Sequence, residues 1–255
     1  MSSHVRSLGA LVGAAVLLLG ACAGDDATTA SPSTSPTPAW SQGVVPTAEQ
    51  LASVLVTEDD YAGEWTENLP PDPEAAISGV VTKEQQEMLP RLDLCDRASE
   101  ESIAAVKALR WQAFRALDLA EEDPIDFGAG DRSGHMISIQ EFLLADEPSL
   151  VESTFTALRD GSQACLGEIP AGEEGPGKVE QMNIPAVGDD RYGELLTMAE
   201  AGGGAQWRLH QVFVRDGSVL MFMDVVEIVA GEGTEPQFTA EDIDTFVTTA
   251  VAKLP

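Results

Sequence analysis

The side chains best suited to nucleophilic, redox or metal chemistry here are three cysteines and three histidines. Cys22 closes an apolar run near the start of the chain and stands apart from the other two. Cys95 and Cys165 form an even pair, and in an exported chain such a pair is expected to oxidise. Their bond would close a loop of about 70 residues, worth roughly 4 kcal/mol by chain-entropy reasoning. The alternatives are two buried thiols or a two-cysteine metal site, and no CxxC pair or neighbouring histidine favours the metal. His135 and His210 both fall on expected strands, where a histidine more often packs than reacts. Asp123, Asp126 and Asp131 share a Pro/Gly-containing loop whose carboxylates could hold calcium. Their spacing is not that of an EF-hand, and a solvated acidic loop is the simpler reading. No HExxH, GxSxG or P-loop pattern occurs, and Gly128, Gly130 and Gly134 miss the dinucleotide spacing. With 43 acidic residues, no carboxylate pair stands out as a glycosidase site. The expectation is therefore no metal, no cofactor and no catalytic residues.

Charge removes another class of function. Lys and Arg total 14 against those 43 acids, a formal charge of −29 over 255 residues. Such a surface repels phosphate backbones, which excludes nucleic acid as a partner. It is also repelled by an anionic membrane surface, so attachment to a membrane needs something other than a basic patch.

That something is indicated by residues 1–22. Arg6 is the single charge in a short start, and an uncharged, mostly apolar run follows over residues 8–19. Twelve helical residues span roughly 18 Å, short of a hydrocarbon core of about 30 Å, so the run reads as a signal-peptide core. It ends in Leu19-Gly20-Ala21-Cys22, which resembles a bacterial lipoprotein lipobox. The resemblance implies cleavage after residue 21. Cys22 then becomes the first mature residue, with diacylglycerol on its sulfur and an acyl chain such as palmitate on its amine. Two or more chains, at about 0.8 kcal/mol per buried CH₂, anchor stably where one would not. The expected location is the outer face of the cytoplasmic membrane.

Residues 22–46 then form a tether. Ser, Thr, Pro, Ala and Gly dominate, with prolines at 32, 36 and 38, and such a stretch cannot bury enough surface to offset ordering entropy. Residues 47–255 read as one α+β domain, a mostly antiparallel sheet with helices packed on it.

The elements of that domain follow from periodicity. The last helix is capped by Thr239 with Asp242 three residues on, and Ile243, Phe246, Val247, Ala250, Val251 and Leu254 make one apolar stripe. A second helix runs from about Pro148 to Cys165, with Val151, Phe155, Leu158, Ser162 and Cys165 on one face. A short one is expected over residues 48–55. A hairpin joins residues 205–215 to 218–229 through Asp216-Gly217. In its second arm apolar residues point both ways, with Asp224 among them, which predicts a central strand covered on both faces. Met221-Phe222-Met223 in that arm could line an apolar pocket, but core packing explains it with less. Further strands are expected at 135–145, 178–184 and 191–199, and segment 99–119 reads as helix, then strand.

Three stretches carry a wider resemblance: residues 48–65 (AEQLASVLVTEDDYAGEW), 140–165 and 187–229, the last with its Val-Gly-Asp turn and Arg-x-Gly hairpin. They resemble actinobacterial extracytoplasmic lipoproteins and the sensor-type external domain of receptor Ser/Thr kinase H. That family implies an α+β fold with a cleft beside the sheet, disulfides and a ligand-sensing role. The kinase relatives are expected to carry two disulfides, where this chain can form one. No kinase domain is expected with this chain, so that any signal would pass through another protein, and no family binding residue maps onto a numbered position. The leading expectation is a lipid-anchored, non-catalytic binding or sensor-like accessory module for a small-molecule, lipid or protein ligand. A carrier of a lipid or other hydrophobic molecule, motivated by the Met/Phe strand, and a hydrolase with an unrecognised site are the alternatives.

Overall fold

A computed structural model describes residues 44–67, 104–106, 108–120, 134–172, 175–199, 205–231 and 236–254. The cleavage site, residues 22–43 of the tether, Cys95 and the Asp123/Asp126/Asp131 loop lie outside the described residues; residues 44–46, expected as the tether's end, pack on the domain instead, Val45 against the core and Val44 O accepting from Ser218.

The long strands supply the frame. They are β1 (Trp65–Glu67), β2 (Trp111–Leu119), β3 (Gly134–Ala145), β4 (Gly167–Gly172), β5 (Gly175–Gln181), β6 (Asp190–Ala199), β7 (Ala205–Asp216) and β8 (Val219–Ala230). They form one antiparallel sheet in the order β1-β2-β3-β8-β7-β6-β5-β4. β8 therefore sits between β3 and β7, and side chains of both parities are buried along it. This is the central strand that its two-sided apolar pattern predicts.

Alternation then sorts the core into two faces. On the front face Ile137, Ile139, Leu143, Val212, Val214, Met221, Met223 and Val225 pack with α1 (Ala48–Ala52) and α3 (Ala240–Lys253). On the back face Phe142, Leu144, Tyr192, Phe213, Leu220 and Phe222 pack with α2 (Pro148–Cys165). Met221 and Met223 thus belong to one core and Phe222 to the other, and all three are buried.

The helices follow their sequence signals closely. Thr239 caps α3 with a reciprocal Asp242 contact, and Ile243, Phe246, Val247 and Ala250 are its buried face. α2 begins at Pro148 and buries Val151, Phe155, Leu158 and Ser162, together with Thr154, which lies off the expected stripe. Cys165 at its end is half-buried rather than turned fully into the core. α1 stops at Ala52, earlier than expected, although Leu55 and Val56 beyond it are fully packed.

The hairpin turn is one residue later than its sequence suggests. Asp216 still pairs with Val219, so the two loop residues are Gly217 and Ser218, and Gly217 supplies the positive φ of 56°. The reason is a clamp from the preceding turn. Asp189 accepts from Arg215 Nη1 at 3.1 Å and from Gly217 N at 3.0 Å, and Asp190 accepts from Arg215 Nη2 at 2.6 Å. Gly188 sits at φ 61° beside them, and a Cβ there would lie 2.6 Å from the Arg215 carbonyl oxygen. The Val-Gly-Asp turn and the Arg-x-Gly hairpin are thus one structural unit. β1 and β4 carry weak signals, three residues in one case and a Gly/Pro-rich run in the other, and sequence periodicity does not reveal them.

Candidate functional site

Among its uncharged neighbours in the centre of the sheet, one row of residues is polar. Gln140 on β3 pairs with Asp224 on β8, Asp224 with Gln211 on β7, Gln211 with Glu194 on β6, and Glu194 with Gln181 on β5. Asp224 shares the parity of Phe222, so the row runs across the back face, next to the aromatic core under α2. Asp224, Gln211 and Glu194 are buried.

The geometry within the row is specific. Gln211 Nε2 donates to Asp224 Oδ1 at 3.1 Å. The Tyr192 hydroxyl reaches Glu194 Oε2 at 3.5 Å, and Ser162 of α2 also hydrogen-bonds Glu194. Burial pushes Asp224 up to about 7, and the nearby Glu194 carboxyl adds to the rise while Gln211 opposes it. Burial likewise raises Glu194 to about 7, against the pull of Ser162 and Tyr192. Desolvation and the Glu194 carboxylate push the Tyr192 phenol upward. The site thus holds two carboxyls poised near neutrality with an amide between them, able to donate or accept hydrogen bonds according to pH.

The front face holds a different set of acids. Glu227 is fully buried and meets Arg208 Nη1 at 2.9 Å, and it also accepts from the backbone N–H groups of Gln237 and Phe238. This pins the lead-in to α3. Glu141, also on the front face between Ile139 and Leu143, accepts from Val56 N at 2.7 Å.

The histidines do not join the polar row. His210 pairs with Val225 and Leu195 on the front face, 2% exposed, and neither ring nitrogen has a hydrogen-bond partner among the described residues. Desolvation, aided by Arg208, lowers it to about 4, so it is neutral at physiological pH. His135 shares the front face through its pairing with Val229. Neither histidine shares a face with Asp224 or Glu194. Cys165 ends α2 three residues beyond Ser162, and its sulfur is disulfide-bonded.

Sequence reading singled out Asp224 as the polar exception in its strand and passed over Glu141, Glu194, Gln211 and Glu227. The missed signal was available: each sits where a strand packed on that face calls for an apolar side chain. Among the described residues no group of three or more His, Cys, Asp or Glu side chains could hold a metal ion.

No protein-family model matches the chain, and no curated protein is similar to it in sequence. Among solved structures, the extracellular domain of PknH from Mycobacterium tuberculosis is similar at a TM-score of 0.44 and 11% identity, covering 83% of this chain and 97% of that chain.

Proposed function

We propose that this chain is a lipid-anchored extracytoplasmic module that binds rather than catalyses, held to the outer face of the cytoplasmic membrane by acyl chains on Cys22. The observation that carries the reading is the run Leu19-Gly20-Ala21-Cys22 behind an apolar segment too short to span a bilayer. The tether expected over residues 22–46 ends before Val44–Pro46, which pack on the domain, and residues 47–255 serve as the working domain. No helix among the described residues is long and apolar enough to cross a membrane. The Asp224–Gln211–Glu194 row is a buried polar centre under α2, hydrogen-bonded within itself and to Ser162 and Tyr192.

The non-catalytic reading is supported by placement. A Ser-His-Asp or Cys-His device needs its members within hydrogen-bond reach, whereas His210 lies on the face opposite Asp224 and Glu194, and neither of its ring nitrogens has a hydrogen-bond partner among the described residues. The Met221-Phe222-Met223 run packs within the two cores, so the feature that motivated a hydrophobic carrier has a structural role.

The test is fractionation of producing cells. Wild-type protein is expected in the membrane fraction and in the detergent phase on phase separation. Cys22→Ser is expected to lose that partitioning almost completely, because no acyl chain remains to anchor a chain this acidic. Detergent-phase partitioning that survives the substitution would refute lipid anchoring.

A further inference from the structure

The segment leading into the sheet, residues 44–65, crosses the front face as a strap with few backbone bonds to the sheet it covers. Its fixings are side chains. Ser218 Oγ donates to Val44 O at 3.1 Å, and Tyr61 Oη donates to Phe246 O at 3.3 Å. Lys253 at the end of α3 pairs with Asp60, which also accepts from the Thr57 backbone N–H and hydroxyl. At the centre, Glu141 on β3 accepts from Val56 N at 2.7 Å, and the strap buries Leu51, Leu55, Val56 and Tyr61 around it.

We propose that Glu141 is the catch of a pH-released strap: protonated, it holds residues 44–65 closed on the sheet, and ionised, it loosens them.

Glu141 is fully buried, and its Oε1 has no hydrogen-bond partner among the described residues. From β2 it faces Arg115, its register partner, already ion-paired with Glu67 at 3.2 Å. From α3 it faces Lys253, already paired with Asp60. From the strap it faces Asp60 and Tyr61, and from β8 its register neighbour is the uncharged Met223. Both cations are thus engaged by other acids, and among the described residues one N–H is the sole hydrogen bond to the buried charge. An ionised carboxylate with one hydrogen bond is costly in this setting, and lifting the strap relieves the cost by admitting water. Burial raises Glu141 to about 7, with Asp60 adding to the rise and Val56, Lys253 and Arg115 opposing it. An exposed glutamate titrates near 4.5. The closed strap is therefore most stable below about 4.5 and loosens as pH rises through about 7.

Hydrogen exchange of the full chain, followed by mass spectrometry at pH 5 and pH 8 and corrected for intrinsic exchange, tests this. Protection of peptides from residues 44–65 should fall by about tenfold or more at pH 8, beyond any change in β7 and β8. Glu141→Gln should remove that difference. Lys253→Met should lower protection at both pH values while keeping the difference, which separates the catch from a second fixing. Equal strap protection at pH 5 and 8 in the wild-type protein would overturn the proposal, and that profile decides the matter even if Glu141→Gln does not fold. An unchanged pH dependence in a folded Glu141→Gln variant would overturn it as well.

Discussion

At pH 8 the double variant Asp224→Asn, Glu194→Gln is expected to melt roughly 10 °C above the wild-type protein, with the gap shrinking as pH is lowered toward 5. Both carboxyls are raised to about 7 by burial, from ordinary values of 3.8 and 4.5. A raised acid keeps its full stability contribution below its unfolded value and loses it as pH climbs through its folded value. The loss therefore falls between about pH 4 and pH 7. At about 1.4 kcal/mol per pH unit per group, the two acids together cost on the order of several kcal/mol at pH 8. The amide variants keep the shape and the Gln211 contact but have no charge to bury. His210 works the other way below about 6.5, since a histidine held down to about 4 favours the folded state as pH rises. Glu141 remains in the variant, so some slope should survive. Thermal melts of both proteins from pH 5 to 8 make the comparison. Identical slopes, with no gain at pH 8, would show that the pair is not the source of the pH dependence.

The second large effect concerns the cysteines. Replacing Cys165 or Cys95 by Ser is expected to lower stability by about 2–5 kcal/mol, and the double replacement should cost about the same as either single one. Cys165 is disulfide-bonded at the end of α2, and we propose Cys95 as its partner. The bond would fix the end of the helix whose Ser162 contacts Glu194. Denaturant melts of the three variants measure this. Additive losses from the single variants, or no loss at all, would refute the pairing.

Much of this architecture was legible because the elements around the site are long and periodic. α2 and α3 announce themselves by Pro148, by the Thr239–Asp242 box and by apolar stripes. β8 announces itself as central because Leu220, Phe222 and Ile228 alternate with Met221, Met223 and Val225. The polar row was only partly legible. Asp224 stands out in an apolar strand, but pairing it with Gln211 and Glu194 needs strand order and register, which one sequence does not contain. The turn at Gly217-Ser218 was misplaced by one residue because the Asp189–Arg215 clamp, a contact between distant segments, overrides the local preference for Asp-Gly. The short helix of this segment was expected over residues 48–55 and is found at Ala48–Ala52, but that residues 44–65 cross the sheet as a strap was not legible, for a related reason. Its short helices bury little on their own and are fixed by Glu141, Phe246, Ser218 and Lys253, all remote in sequence.

The most direct test of the central claim is the intact mass of the mature wild-type protein, extracted in detergent from producing cells. Lipid anchoring predicts a chain beginning at Cys22 with added mass matching diacylglycerol, with or without a further acyl chain. A chain that retains residues 1–21, or one beginning elsewhere with Cys22 unmodified, would contradict it.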